Sequence, residues 1–142
     1  MSSGEKAVVK PQVNVVSFIV CRDEKILAEK RKQTKEIDPG KVTIPGGHVE
    51  KGESFEAALE REVREELGIE CDRFAYLITM LHETDKEDQV THYYVCENWK
   101  GEPRNLEAEQ ILWIGFAQID QLDVEIDRKA AKEFLRKRTH SQ

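Results

Sequence analysis

Long apolar runs are missing from this chain of 142 residues. The longest, Val15–Cys21, is interrupted by Ser17 and falls far short of the roughly 20 residues that a bilayer-spanning helix requires. Met1–Lys10 is polar and of mixed charge, with no apolar block of secretory type. Cysteine is scarce as well. Cys21, Cys71 and Cys96 are widely scattered and form no Cys-x-x-Cys pair, so they read as three separate small residues in a reducing compartment. A basic excess is also lacking: 22 Lys and Arg face 28 Asp and Glu, for a net charge of −6. That balance argues against non-specific binding to nucleic acid or to a membrane surface. Repeats and low-complexity tracts are absent. The expected setting is cytoplasmic, for a soluble protein with no membrane partner.

What is present suffices for a core. Hydrophobic residues make up 39% of the chain and charged residues 35%, the balance of a globular domain rather than a disordered segment. A loose lead over residues 1–10, one domain over 11–138 and a short tail over 139–142 are expected, with the basic chain from Arg136 onward frayed. The β-branched stretch Val13–Cys21 predicts a buried strand, and Ile26–Lys30 a second strand after the turn Arg22–Lys25. Asp38-Pro39-Gly40 marks a loop and Val42–Ile44 a short strand. Ser54–Leu67 has no Gly or Pro and predicts a helix, with Gly68 as its left-handed cap. Phe74–Glu83 and Val90–Glu97 predict an antiparallel pair around the turn Thr84–Gln89, and Gln110–Phe116 a last strand. Asp127–Arg136 predicts a closing helix with Asp127 as its N-cap. Strands dominate and two helices must cover them. The expected fold is an α/β sandwich with a mixed β-sheet between helices.

The first helix places its acids unusually. At about 100° per residue, Phe55, Leu59, Val63 and Leu67 fall within an arc of about 120° that faces the core. Glu60 and Arg64 fall outside it. Glu62, Glu65 and Glu66 line one edge of the buried face, and their i, i+3, i+4 spacing makes them neighbours. Like charges this close repel, more so when partly buried, and call for a cation. Oxygen-only ligands suit Mg²⁺ or Mn²⁺ rather than zinc. On geometry alone a solvated or arginine-paired face is the alternative. Pro45-Gly46-Gly47 sets a tight turn whose backbone can approach a ligand closely. Glu53 and Arg61 are expected to pair and hold this loop against the helix.

Gly47–Ile69 reads GHVEKGESFEAALEREVREELGI. The segment resembles the Nudix box, the signature of the Nudix hydrolases, G-x5-E-x7-R-E-U-x-E-E-x-G-U with U aliphatic. Gly47, Glu53, Arg61, Glu62, Val63, Glu65, Glu66, Gly68 and Ile69 fill it without a departure. From average composition, a chance match in a chain of this size is on the order of 10⁻⁷. Trp99-Lys100-Gly101-Glu102-Pro103, followed by Glu107 and Trp113, resembles the corresponding stretch of MutT-type members. The likeness extends loosely over Val13–Leu135.

The resemblance implies a Nudix-type α/β/α sandwich and a metal-dependent hydrolase of phosphoanhydride bonds in compounds of a nucleoside diphosphate linked to another group. It assigns Glu62, Glu65, Glu66, the Gly47 carbonyl and, further along, Glu107 to the metal, which is Mg²⁺ or Mn²⁺. It makes Glu53 and Arg61 the pair that supports the acids, Arg31 a contact to substrate phosphate and Asp127 a reader of the base. Glu62 and Glu66 are the candidates for general base, with Glu83, Glu87 and Asp88 as further ones. The marker residues of the ADP-ribose and diadenosine polyphosphate types are missing, because Thr84-Asp85 and Lys86-Glu87 stand there. The leading expectation is a MutT-like nucleoside triphosphate pyrophosphohydrolase releasing nucleoside monophosphate and pyrophosphate. The alternatives are a nucleotide-sugar, ADP-ribose or dinucleoside polyphosphate hydrolase, or a non-catalytic nucleotide-binding module. The partner is then a small-molecule nucleotide, not a nucleic acid. Members often form homodimers, with Trp99 or the Val90–Glu97 strand as the expected edge contact. His48 reads as a loop residue, His82 and His92 as sheet surface, and Trp99 and Trp113 as packing residues.

Overall fold

The computed structural model describes residues 9–140. The expected lead and tail therefore lie mostly outside the described residues. Eight strands and two α-helices follow in the order β1 (Gln12–Ile19), β2 (Cys21–Arg22), β3 (Lys25–Lys30), β4 (Val42–Thr43), β5 (Gly46–His48), α1 (Phe55–Leu67), β6 (Arg73–Glu83), β7 (Asp88–Glu97), β8 (Gln110–Gly115) and α2 (Glu125–His140). A 3-10 segment, Phe116–Gln121, leads into α2.

The strands form two sheets. One is mixed, in the order β5-β1-β7-β6, with β1 and β7 parallel and the other pairs antiparallel. In the other, β3 pairs antiparallel with β8 along its length and with β2 and β4 at its two ends. Side-chain alternation along the strands divides the core in two. Val16, Phe18, Val20 and Leu27 pack with Ala58, Leu59, Val63 and Leu67 of α1. Ile19, Ile26, Ala28, Ile44 and Tyr93 pack with Ala130, Ala131 and Phe134 of α2. The helices thus cover opposite faces, and the sandwich stands as expected with its strands split between two sheets. Each fully buried aliphatic side chain, such as Leu59 at 0% exposure, contributes about 1.5–3 kcal/mol.

The ends of α1 follow from its flanking residues. Ser54 accepts a hydrogen bond from the Ala57 amide at 3.0 Å, and Gly68, at φ 67°, donates its amide to the Arg64 carbonyl. These are the side-chain N-cap and the left-handed C-cap. α2 departs from expectation at both ends. It starts at Glu125, so Asp127 lies inside the first turn, buried, rather than at the N-cap. It runs to His140, where a frayed tail from Arg136 was expected; Arg136 bonds Glu133 through two nitrogens, one turn back.

Two other expectations change, for the β7 edge and for the cysteines, and the packing role expected of Trp99 and Trp113 holds. β7 lies between β1 and β6, so Val90–Glu97 has no free edge to offer a second copy. Trp99 packs on Trp113, with ring centroids 6.5 Å apart, and donates its indole N–H to the Cys21 carbonyl. Cys71 and Cys96 stand side by side as a disulfide pair with Cα atoms 5.9 Å apart, and Cys21 is the free cysteine among the described residues. The chain reversal after Gly68 brings Cys71 back to the end of β7, which linear spacing does not reveal. No helix among the described residues is long and apolar enough to cross a membrane.

Candidate active site

The site begins where β5 passes α1. A Cβ on Gly47 would lie 2.2 Å from the Glu62 carboxylate, and one on Gly46 would lie 2.3 Å from the Val16 carbonyl. Only glycine lets β5 run this close to both the helix and β1. Gly47 pairs with Val16 in the sheet, so its position is fixed by a buried strand.

Arg61 organises the acids of α1. Its Nε and Nη2 donate to the two oxygens of Glu53 at 2.8 and 2.9 Å, a bidentate pair. Nη2 also donates to the His48 carbonyl at 3.0 Å, and Nη1 to Glu62 at 2.8 Å and Glu65 at 3.2 Å. One guanidinium thereby ties the segment Gly46–Ser54, through His48 and Glu53, to two glutamates of α1. Its bonds, with the Glu50 amide, hold the Glu53 carboxyl down at about 2. Arg61 itself is pushed above its usual range, chiefly by Glu53.

Glu62, Glu66 and Glu29 are shifted the opposite way from Glu53, chiefly by burial. Burial pushes Glu62 up to about 7, against the pull of Arg61, and Glu66 adds repulsion. Burial also pushes Glu66 up to about 9, helped by a hydrogen bond to Glu29 and by the charges of Glu29 and Glu107. Glu29 itself is raised by burial. Sequence reasoning missed Glu29, although an acid within the apolar strand Ile26–Lys30 was a visible signal.

Arg61, Glu62 and Glu66 line one cleft of about 650 Å³, together with Arg31, Lys35, Glu65, Glu107 and Asp127, and Glu29 lines a narrow pocket beside it. All of the predicted site residues line the cleft except Glu53, which stands behind Arg61. The Arg31 Nε donates to the Ile37 carbonyl at 2.9 Å, which fixes the side chain on the wall of the cleft. Asp127 is buried; its Oδ2 accepts the Ile44 amide at 2.9 Å and its Oδ1 accepts the Tyr93 hydroxyl. Burial raises Asp127 to about 6 despite these two donors. Tyr93 is raised in turn by its own burial and by Asp127.

Two histidines differ from expectation. His82 lines the cleft, bonded at 2.8 Å to Asp38 of the β3–β4 loop. His48 meets Glu87 of the β6–β7 turn, which brings Glu87 to the cleft; Glu83 and Asp88 do not line it. His92 is half-buried, bonds Thr79 and Asn14, and stacks on Phe55 at 4.3 Å. Among the described residues no three acid, imidazole or thiol groups close on a single point. Arg61 occupies Glu62 and Glu65 with hydrogen bonds of its own.

The model of the NUDIX domain matches residues 10–137. The chain belongs to the Nudix family. It is a MutT-like member of the Nudix hydrolases, similar over 83 residues, at 30% identity, to the 8-oxo-dGTP diphosphatase of Escherichia coli K12. That alignment covers 58% of this chain and 64% of the relative. It is 32% identical over 103 residues to the CTP pyrophosphohydrolase of the same organism, covering 71% of this chain and 74% of the relative. The crystal structure of a MutT Nudix hydrolase from Burkholderia pseudomallei superposes with a TM-score of 0.78 at 30% identity, over 87% of this chain and 98% of that one. The Nudix segment Gly47–Ile69 coincides with the loop, Arg61 and glutamate row described above.

Proposed function

We propose that this Nudix protein is a metal-dependent nucleoside triphosphate pyrophosphohydrolase, converting a nucleoside triphosphate and water to a monophosphate and pyrophosphate. One observation carries the reading. Arg61 holds Glu62 and Glu65 in a cleft that the cations Arg31 and Lys35 also line. Acids and cations lining one cleft suit a polyphosphate bridged by divalent ions.

The residues fit such ions. Every donor is an oxygen, and burial, with repulsion from neighbouring carboxylates, holds Glu62 and Glu66 at about 7 and 9. Only a glycine cradle brings the Gly47 backbone this near to Glu62. Glu62, Glu65, Glu66, Glu107 and the Gly47 carbonyl would hold Mg²⁺ or Mn²⁺. Bound there, the metal would neutralise phosphate oxygens and acidify a coordinated water.

The chain's own groups supply the rest. Arg31 and Lys35 attract and orient the phosphates. Glu53 keeps Arg61 fixed, and Arg61 keeps Glu62 and Glu65 aimed into the cleft. Glu62 and Glu66 are the carboxylates placed to accept the proton of the attacking water. Asp127 stands on the cleft wall with one lone pair of each oxygen already engaged, leaving the others for a donor on the base. The relatives named for 8-oxo-dGTP and CTP support a nucleoside triphosphate as substrate class.

The test is product release with Mg²⁺ across normal and oxidised nucleoside triphosphates, ADP-ribose, nucleotide sugars and dinucleoside polyphosphates. Pyrophosphate from triphosphates, lost in Glu65→Gln, is the expected result. Turnover confined to the other compounds overturns the substrate assignment, and no turnover at all overturns the enzymatic reading.

A further inference from the structure

The four buried residues of β3, Ile26–Glu29, are apolar except for the last. Ile26 and Ala28 point into the core under α2, and Leu27 points into the core under α1. Glu29 follows Leu27 on the α1 face and is only 4% exposed. Its cross-strand partner is Thr43. Val42 and Ile44, on either side, belong to the α2 core, so Thr43 shares the α1 face with Glu29. Thr43 is 7% exposed, and its hydroxyl has no hydrogen-bond partner.

A buried acid beside a buried, unpaired hydroxyl is a poor packing choice, because an apolar residue would fill the space without burying a polar group. Both residues border the site. Thr43 lines the main cleft. Glu29 lines a narrow pocket of about 40 Å³ beside it, with Arg31, Lys35, Gly46, Glu66 and Glu107. Glu29 of β3 and Glu66 of α1 meet in this pocket from different elements, and each carboxyl acts on the charge of the other. Two buried carboxyls brought together share either a proton or a cation, and the three carboxylates of this pocket, Glu29, Glu66 and Glu107, are oxygen donors of the kind that suit a hard divalent ion.

We infer that Glu29 and Glu66 together hold a divalent cation, with the Thr43 hydroxyl beside them. The cation site then extends from the Nudix helix onto β3, through a residue outside the Nudix segment. The inference rests on the reading that the α1 glutamates bind divalent ions.

The experiment is a Mn²⁺ titration of the full chain, read by the paramagnetic resonance of free ion, with thermal unfolding in parallel. Wild type is compared with Glu29→Gln, Glu29→Asp and Glu65→Gln. Glutamine keeps the volume and donates an N–H to Glu66, but removes a charged ligand. Glu29→Gln is expected to lose one class of Mn²⁺ site or weaken it at least about tenfold, with Tm unchanged or raised, while Glu29→Asp retains binding. Unchanged Mn²⁺ binding in Glu29→Gln, with Glu65→Gln impaired, overturns this inference and leaves the α1 site standing. Equal loss in the Gln and Asp variants, with a lowered Tm, assigns Glu29 a structural role and also overturns it. Absence of Mn²⁺ binding by the wild type overturns both readings.

Discussion

Glu53 and Arg61 face each other across the start of α1 through two parallel hydrogen bonds of 2.8 and 2.9 Å. Neither bond reaches the substrate side of the cleft. Glu53→Gln breaks the bidentate grip and leaves Arg61 free to rotate away from Glu62 and Glu65. Turnover is expected to fall about 10–100-fold, with the helix content of the circular dichroism spectrum unchanged. Wild-type turnover in Glu53→Gln would show that Arg61 needs no anchor.

Two glycines in the same loop should respond in opposite ways. Gly47→Ala drives a methyl into the Glu62 carboxylate, 2.2 Å away, and turnover should drop at least about 100-fold. Gly52 has φ 80° and nothing within 4 Å of an added methyl. Gly52→Ala should therefore cost about 1 kcal/mol of stability through its backbone and leave turnover intact. Urea unfolding and initial rates on both variants check the contrast.

Glu65 is half exposed, with a single bond from Arg61. Glu65→Gln should change stability by no more than about 0.5 kcal/mol while lowering turnover about 100- to 1,000-fold. A chelator should abolish wild-type activity and Mg²⁺ should restore it. A Glu65→Gln enzyme as fast as wild type would remove Glu65 from the cation site.

Asp127 gives a pH dependence of defined sign. Its native value, about 6, lies above its ordinary 3.8, so the folded chain binds the proton more tightly than the unfolded one. The stability it contributes is complete below about pH 4 and is lost as pH rises through about 6. Asp127→Asn keeps an acceptor for the Ile44 amide and does not titrate. Urea midpoints should decline less between pH 4 and 7 in Asp127→Asn than in wild type. Identical pH profiles would mean that Asp127 is not displaced from its ordinary value.

Much of the site was legible because it is local. Glu62, Glu65, Glu66 and Arg61 share one helix, so spacing alone put the acids at the edge of its buried face, where Glu62 and Glu66 lie. The caps of α1 were equally local, set by Ser54 and Gly68. What escaped depends on contacts distant in sequence. Glu29 meets Glu66 across the sandwich, Asp127 meets Tyr93 and Ile44 from a third element, and Cys71 meets Cys96 after a chain reversal. His82 of β6 meets Asp38, 44 residues earlier in the chain, at the cleft. Asp127 shows how a local rule fails: an acid near a helix start reads as a cap, until packing buries it against a tyrosine.

The parallel pairing of β1 with β7, which sets Gln12 opposite Asp88 and Ile19 opposite Val95, orders events during synthesis. When α1 leaves the ribosome, the strand beneath it still has an open edge. That edge closes only after Glu97 has been made, so the cleft forms late, after most of the chain exists. Closure of so long a loop precedes the contacts that reward it, which slows folding and leaves β1 exposed to other chains meanwhile. A nascent chain arrested before β7 should carry every glutamate of the Nudix segment and still have no cleft in which to use them.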